Sequence, residues 1–140
     1  MTWLFDTALV SEVDRPRPDA GVVAWLASNQ LPAFLSVITI GEMHSGIQRM
    51  TQSPRRLALE VRLNEVLVEF EDRILVVTTD VCLEWGRMTA AAANAGRTLP
   101  ILDSLIAATA LVHNLTVVTR NVADFGACGV PTLNPWSTSS

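Results

Sequence analysis

The chain has 140 residues, of which 49% are hydrophobic and 17% are charged, and its formal net charge is −4. This length and composition predict one folded domain, residues 1–140, and exclude a disordered chain. No apolar run approaches the roughly 18 residues that a membrane span needs, and the N-terminus lacks the basic start of a signal peptide. We therefore expect a cytoplasmic protein without a membrane partner.

The numbers and spacing of the residues that bind zinc or phosphate indicate which ligands to expect. Two cysteines and two histidines are scattered along the chain without a C-x-x-C pair, which argues against a zinc site. All ten basic residues are arginine, a side chain that binds phosphate through paired hydrogen bonds. The negative net charge argues mildly against nucleic acid binding. Composition therefore leaves open whether the arginines reflect function or the codon usage of the source.

Short apolar runs alternate with helical patterns along the chain, which predicts an α/β fold around a parallel sheet. Predicted strands cover Trp3–Phe5, Ala33–Ser36, Ile74–Val77, Leu115–Val118 and Val130–Leu133. Predicted helices cover Gly21–Ala27, Thr39–Met50, Pro54–Glu71, a segment from Thr78 or Thr79 to near Gly96, and Asp103–His113.

The helix predicted over Pro54–Glu71 is amphipathic. One set of its residues is expected to face the core and another to face solvent. The inward set is Leu57, Val61, Val66 and Leu67, and the outward set is Arg56, Glu60 and Glu65. Apolar residues of this helix that remain exposed would provide a surface for a second copy of the chain.

Four acids lie at junctions between predicted elements, and each alone has a structural explanation. Asp6 follows a strand and suits a turn or a cap. Glu42 stands three residues after Thr39, the spacing of a capping box. Asp103 opens a helix, where the helix dipole favours an acid. Asp124 suits an Asx turn.

Taken together, the four acids indicate a metal-binding site instead of four separate structural roles. Asp6 and Asp124 follow strands, whereas Glu42 and Asp103 lie where helices begin. Strand ends and helix starts meet at one edge of an open parallel sheet, where ligands bind. Carboxylates gathered there repel one another unless a cation neutralises them. An all-oxygen ligand set selects Mg²⁺ or Mn²⁺, ions that act on phosphates.

The sequence does not match other protein folds that bind Mg²⁺ through carboxylates. A receiver domain needs a lysine near its acidic pocket, and this chain has none. A haloacid-dehalogenase-type phosphatase needs D-x-D after its first strand, but the sequence here reads Asp6-Thr7-Ala8. Neither G-x-x-x-x-G-K-[ST] nor G-x-G-x-x-G occurs, which argues against a nucleotide-binding loop.

Four segments resemble the PIN-domain family of the VapC/FitB type, the toxins of type II toxin–antitoxin pairs. They are WLFDTALVSE, FLSVITIGEMHSGI, PILDSLIAATALVHNLTVVTRNVADF and LNPW, in the family's order and approximate spacing. The resemblance covers essentially the whole chain. It implies a three-layer α/β/α sandwich with a central parallel sheet. It also implies a Mg²⁺- or Mn²⁺-dependent ribonuclease that forms a homodimer and is inhibited by a small antitoxin.

By the same resemblance, Asp6, Glu42 and Asp103 match the family's three principal acids and are expected to bind metal and act in catalysis. Asp124 is the expected fourth acid. Asn121 is interpreted as a neutral ligand or a group that positions water. Thr7, Ser11 and Glu12 match the first motif, and Arg120 either contacts phosphate or packs structurally.

Two departures from the family pattern support a second hypothesis. Ala8 stands where the family usually has asparagine, so the loop after Asp6 lacks one polar group, and Asn121 stands where many members have an acid. The leading hypothesis remains an endoribonuclease that hydrolyses RNA with a metal-activated water. The alternative is a catalytically weak PIN-like binding module that acts mainly through a protein partner.

Overall fold

A five-stranded, all-parallel sheet forms the centre of the protein in the computed structural model, which describes residues 2–29 and 32–137. The strand order is β3-β2-β1-β4-β5, so β1 lies in the middle. The bounds are β1 (Trp3–Phe5), β2 (Ala33–Ser36), β3 (Ile74–Leu75), β4 (Thr116–Val118) and β5 (Thr132–Leu133). The predicted parallel sheet is confirmed, although β3 and β5 are shorter than the predicted strands.

Helices connect the strands in the described part of the chain. They are α1 (Thr7–Glu12), α2 (Ala20–Ser28), α3 (Val37–Gln48), α4 (Pro54–Glu69), α5 (Thr79–Asn94), α6 (Ile101–Val112) and α7 (Val122–Ala127). A 3₁₀ turn, Glu71–Arg73, follows α4. None of these helices is long and apolar enough to cross a membrane.

Two hydrophobic clusters show that helices cover both faces of the sheet. Successive strand residues point to opposite faces, and Leu4 and Val117 belong to one cluster whereas Trp3 and Val118 belong to the other. Helices α5 and α6 supply most of the helical residues in the first cluster, and α1, α2 and α4 supply those in the second. The predicted three-layer α/β/α architecture is confirmed.

The predicted orientation of α4 is wrong at several positions. Leu57 and Val61 are 62% and 52% exposed, and Leu67 is also exposed. The buried line is Leu63, Val66 and Phe70, at the spacing of one helical face. Because apolar residues occur on more than one face of this helix, its sequence pattern did not determine which face packs inward.

Helices α1 and α7 were not predicted. Each has six residues, TALVSE in α1 and VADFGA in α7, which is too short for a clear helical period. Both follow directly after a central strand and its polar turn. They are the elements that place the residues after β1 and β4 at the sheet edge.

The end of the described chain is fastened to α1 and α2. The Trp136 indole N–H donates to Glu12 Oε1 at 3.1 Å, and the Ser137 backbone N–H donates to Asp19 Oδ1 at 2.9 Å. A Cβ on Gly21 would lie 2.6 Å from Pro135 O, so glycine permits this close approach. The LNPW motif thus has a structural role here, which we term the C-terminal clasp.

Candidate active site

Asp6 lies at the edge of the sheet, where β1 passes into α1. Its carboxylate is buried, at 6% exposure, and both oxygens accept hydrogen bonds. Oδ1 accepts from the Thr7 backbone N–H at 2.8 Å and caps α1, while Oδ2 accepts from the Thr119 hydroxyl at 2.8 Å. Burial raises the pKa of Asp6; the two hydrogen bonds offset part of that rise, and the charge of Glu42 adds to it.

Thr119 is a site residue that sequence reasoning missed. It follows β4 directly and is fully buried. Phe5 pairs with Val118 across β1 and β4, so the next residue on each strand, Asp6 and Thr119, meet at the strand ends. The Thr119 oxygen also accepts the Asn121 backbone N–H at 2.9 Å. Finding Thr119 from sequence would have required knowing that β1 and β4 are neighbours.

Glu42 projects from α3, and the capping box predicted for it is wrong. The helix begins earlier, at Val37, with the Ser36 hydroxyl accepting from the Ile38 N–H at 3.0 Å. Glu42 therefore lies in the second turn, too far along to bond back to the helix start. Its Oε1 instead accepts from the Thr7 hydroxyl at 2.8 Å. Thr7 thus connects the Asp6 turn to α3.

Asp103 is the third residue of α6, which begins at Ile101 after Pro100. It is half-buried, and none of the described residues donates a hydrogen bond to its carboxylate. Burial raises its pKa to about 6, with further contributions from the charges of Asp6, Glu42 and Asp124. Asp103 thus lies in the first turn, where the helix dipole favours an acid, as the sequence predicted, but the helix begins two residues earlier than predicted and the capping position is Pro100.

Asp124 lies in the first turn of α7, so it does not follow β4 directly as the sequence suggested. It is exposed. The Asn121 side-chain N–H donates to its Oδ2 at 2.8 Å. Its effect on the pKa of Asp103 places Asp124 in the same electrostatic neighbourhood as the other acids.

The first turn of α6 has its own support, which the sequence did not reveal. The Trp85 indole N–H donates to Ser104 Oγ at 2.9 Å, and that hydroxyl donates to the Ile101 carbonyl at 2.9 Å. Ser104 is fully buried. This hydrogen bond between the partly buried Trp85 on α5 and the buried Ser104 on α6 holds the backbone immediately beside Asp103.

The four predicted acids, which we call the acidic group, are Asp6, Glu42, Asp103 and Asp124. All four come together at the carboxyl edge of the sheet, close enough for three of them to perturb the fourth. Within residues 2–29 and 32–137, no three His, Cys, Asp or Glu side chains form a ready-made metal-binding group as they stand. The acidic group is therefore coupled through its charge and not through a shared point of contact.

Two clefts adjoin the acidic group. The larger, which we call the arginine cleft, has a volume of about 480 Å³ and is lined by Ala8, Met43, Met50, Trp136 and the arginines Arg15, Arg55 and Arg120, among others. The smaller, of about 420 Å³, is lined by Thr7, Glu42 and Arg49, among others. Both clefts lie against α1 and α3, the two helices that carry Thr7 and Glu42.

The fold and the acidic edge agree with a known family. The chain belongs to the PIN-domain family, whose model matches residues 4–125. Two relatives carry the names of a VapC ribonuclease and of a toxin. VapC ribonuclease Y4jK of Sinorhizobium fredii is 33% identical over 135 residues, which cover 95% of this chain and 96% of that protein.

Toxin FitB of Neisseria gonorrhoeae is 37% identical over 135 residues, covering 95% of this chain and 97% of that protein. Among solved structures, FitAcB from Neisseria gonorrhoeae superimposes with a TM-score of 0.90 at 36% identity, covering 97% of this chain and 99% of that one. The relationship to VapC/FitB-type toxins that the sequence motifs predicted is confirmed.

Proposed function

We propose that this protein is a divalent-metal-dependent endoribonuclease and the toxin of a type II toxin–antitoxin pair, acting as a single domain in the cytoplasm. The observation that carries the proposal is the acidic group at the sheet edge, in which neighbouring carboxylates and burial raise the pKa of Asp103 to about 6. A PIN-domain relative named VapC ribonuclease supports RNA as the substrate.

The donor chemistry of the acidic group fits Mg²⁺ or Mn²⁺. All four side chains offer oxygen, which hard cations prefer, and like charges that raise one another's pKa gain from a cation between them. We propose Asp6, Glu42, Asp103 and Asp124 as the residues that hold it. When bound, such an ion supplies an activated water and stabilises the charge that develops on a phosphate.

The protein's own side chains have distinct tasks in this proposal. Thr119 and the Thr7 amide fix both oxygens of Asp6, and the Thr7 hydroxyl orients Glu42. Asn121 holds Asp124 in the same manner. Asp103 receives no such hydrogen bond among the described residues, so its carboxylate is free to turn toward a cation or a water.

We further propose a small antitoxin as the partner and a homodimer as the assembly. The related structure of FitAB bound to a DNA fragment, at 34% identity, supports a partner of this class. A cationic side chain of the antitoxin would enter the acidic group and compete with metal and RNA. Leu57, Val61 and Val68, exposed at 62%, 52% and 75% on α4, provide an apolar surface for a second copy. A monomeric mass in light scattering at micromolar concentration would contradict the homodimer.

The alternative is a binding module with little catalysis, which acts mainly through its protein partner. Ala8 is exposed beside Asp6 and adds no polar group to it, and Asn121 contributes an amide instead of a carboxylate. Under this alternative, the acidic group serves to bind the partner's cation.

A nuclease assay separates the two functions. The purified protein is incubated with a mixed-sequence RNA in Mn²⁺, in Mg²⁺, and in either metal with excess chelator. The enzyme hypothesis predicts cleavage that the chelator abolishes and that added Mn²⁺ restores. No cleavage under any metal condition, combined with tight binding of the cognate antitoxin, would establish the binding module.

A further inference from the structure

Two arginines of the arginine cleft form no ion pair among the described residues, a property they share with Arg17, Arg49, Arg73 and Arg97, which do not line this cleft. Arg62 pairs with Asp14 at 2.9 Å and Arg56 with Glu60 at 2.9 Å, and Arg87 pairs with Glu84. By contrast, Arg55 and Arg120 have no carboxylate within ion-pair distance among the described residues.

The third arginine of the cleft is only weakly engaged. Arg15 is 62% exposed and lies 3.4 Å from Glu12. The Glu12 carboxylate already accepts hydrogen bonds from Trp136 and from the Asp19 backbone N–H. Because the Arg15 side chain is mostly exposed, this ion pair contributes little stability.

Sequence neighbours of the acidic group line the cleft. Ala8 lines it and is the second residue after Asp6. Arg120 lines it as well and follows Thr119, whose hydroxyl is bonded to Asp6. Met43, the neighbour of Glu42 on α3, lines the same space. The cleft is therefore lined by chain neighbours of Asp6 and Glu42, although none of the four acids of the acidic group lines it.

The cleft's lining combines two properties that suit a polynucleotide. Its volume of about 480 Å³ accommodates a nucleotide-sized group. Arg55 and Arg120 offer forked donors to phosphate oxygens, and Met43 and Met50 offer apolar contact to an unpaired base. The three arginines of the cleft outnumber its two acids, Glu12 and Asp14, which already accept hydrogen bonds from other residues. In a chain with net charge −4, this excess of cations reduces the repulsion of an anionic substrate.

We propose that Arg55 and Arg120 are substrate-positioning residues, which bind the phosphates that flank the scissile bond of a single-stranded RNA lying in the arginine cleft. This inference rests on the proposed ribonuclease function. The inference specifies the path of the RNA, which runs through the arginine cleft and across the acidic group. It also names the two side chains that contact the RNA phosphates.

The test measures binding of a mixed-sequence single-stranded RNA in chelator, so that no cleavage occurs, over a range of salt concentrations. Each phosphate contact to a single strand contributes about 0.7 to the slope of log affinity against log salt. Arg55→Gln and Arg120→Gln should each reduce the slope of log affinity against log salt by about 0.7. The double variant should reduce this slope by the sum of the two single effects. Arg120→Lys should retain the slope, since a lysine still contacts phosphate.

Arg87→Gln is the matched control, because it removes the same charge from an exposed arginine that lines neither cleft. It should leave the slope unchanged. With Mn²⁺ present, the two cleft variants should raise KM several-fold with little change in kcat, the pattern of a lost binding contact.

Two results would overturn the proposal while leaving the ribonuclease function standing. The first is a parental protein that cleaves RNA together with cleft variants whose salt slope and KM are unchanged. The second is unchanged RNA binding in variants that have lost binding to a poly-glutamate peptide, which would assign the cleft to an acidic protein segment. If instead the parental protein neither binds nor cleaves RNA, the proposed function itself fails.

Discussion

The two ends of helix α1 carry buried acids in opposite environments. At its start, Asp6 faces other carboxylates, and burial together with the charge of Glu42 keeps its pKa raised in spite of two hydrogen bonds. At its end, Glu12 is equally buried, yet hydrogen bonds from Trp136, Asp19 and Arg15 outweigh the effect of burial and lower its pKa. Six residues of helix separate the two.

The difference shows how to distinguish a structural acid from a functional one. Glu12 is surrounded by donors that suit a permanent negative charge, so it fastens the C-terminal clasp. In the acidic group, burial and neighbouring carboxylates raise the pKa of Asp6 and of Asp103, so ionisation of these two acids is unfavourable until a cation arrives. Charged groups left in such a state cluster at functional sites. Each variant below changes either a structural acid or the acidic group, and the variants are ordered from the largest expected effect to the smallest.

Glu12→Ala should cause the largest loss of stability. It leaves the Trp136 indole N–H and the Asp19 backbone N–H without their acceptor, and each orphaned buried donor costs about 1–3 kcal/mol. We expect the free energy of unfolding to fall by about 3 kcal/mol in urea denaturation. Glu71→Ala, at an exposed acid of the 3₁₀ turn, should change it by less than about 0.5 kcal/mol. Similar values for both variants would remove the structural role of Glu12.

Thr119→Val should affect metal binding more than folding. Valine has nearly the same shape but cannot donate to Asp6 Oδ2, and losing a support of this kind typically weakens a metal site by about 10–100-fold. The free energy of unfolding should fall by about 1 kcal/mol. Calorimetric titration with Mn²⁺ provides the measurement. Thr119→Ser keeps the hydroxyl and should bind as the parent does; a valine variant with parental Mn²⁺ affinity would contradict the role of Thr119.

The two kinds of acid should also respond to pH with opposite sign in metal-free buffer. The pKa of Asp103 is raised from 3.8 to about 6, so its ionisation destabilises the folded state progressively as pH rises through that interval. The pKa of Asp19 is lowered from 3.8 to about 2 by its hydrogen bonds to Ser137. Its contribution is therefore present above pH 3.8 and is lost as pH falls toward 2.

Urea midpoints measured in metal-free buffer from about pH 2 to about pH 7 would resolve this contrast. Asp103→Asn should gain stability relative to the parent as pH rises from about 4 to about 6. Asp19→Asn should lose stability relative to the parent on raising the pH from the acid end. If the urea midpoints of the parent, Asp103→Asn and Asp19→Asn changed with pH in parallel, the proposed opposite environments of Asp103 and Asp19 would be contradicted.

The sequence predicted only part of the difference between the acidic group and the structural acid Glu12. The five strands and the gathering of Asp6, Glu42, Asp103 and Asp124 at one sheet edge followed from apolar runs and junction positions. The hydrogen bonds that separate the two kinds of acid did not, because they join residues more than 100 positions apart, as in Thr119 to Asp6 and Trp136 to Glu12.

The wrong predictions for helices α3 and α4 arose because sequence spacing does not include tertiary packing. Thr39 and Glu42 have the spacing of a capping box, but Ser36 also suits a cap and lies directly at the strand end, so α3 begins there. On α4, apolar residues on several faces left the buried face undetermined until packing selected Leu63 and Val66. Spacing rules describe one element at a time, whereas these outcomes depend on what the element packs against.

The most direct test of the acidic group is the change Asp103→Asn, with Asp80→Asn as control. Both acids lie in the first turn of a long helix, α6 for Asp103 and α5 for Asp80, and Asp80 is exposed. The measurement combines the melting temperature with and without Mn²⁺ and the rate of RNA cleavage. Relief of repulsion should leave the metal-free Asp103→Asn protein at least as stable as the parent.

For Asp103→Asn we predict a smaller Mn²⁺-induced rise in melting temperature and loss of RNA cleavage, because a negatively charged ligand has been removed. Asp80→Asn should retain both the parental rise and the parental cleavage. An Asp103→Asn protein that cuts RNA at close to the parental rate would contradict the central claim that the acidic group holds the catalytic metal.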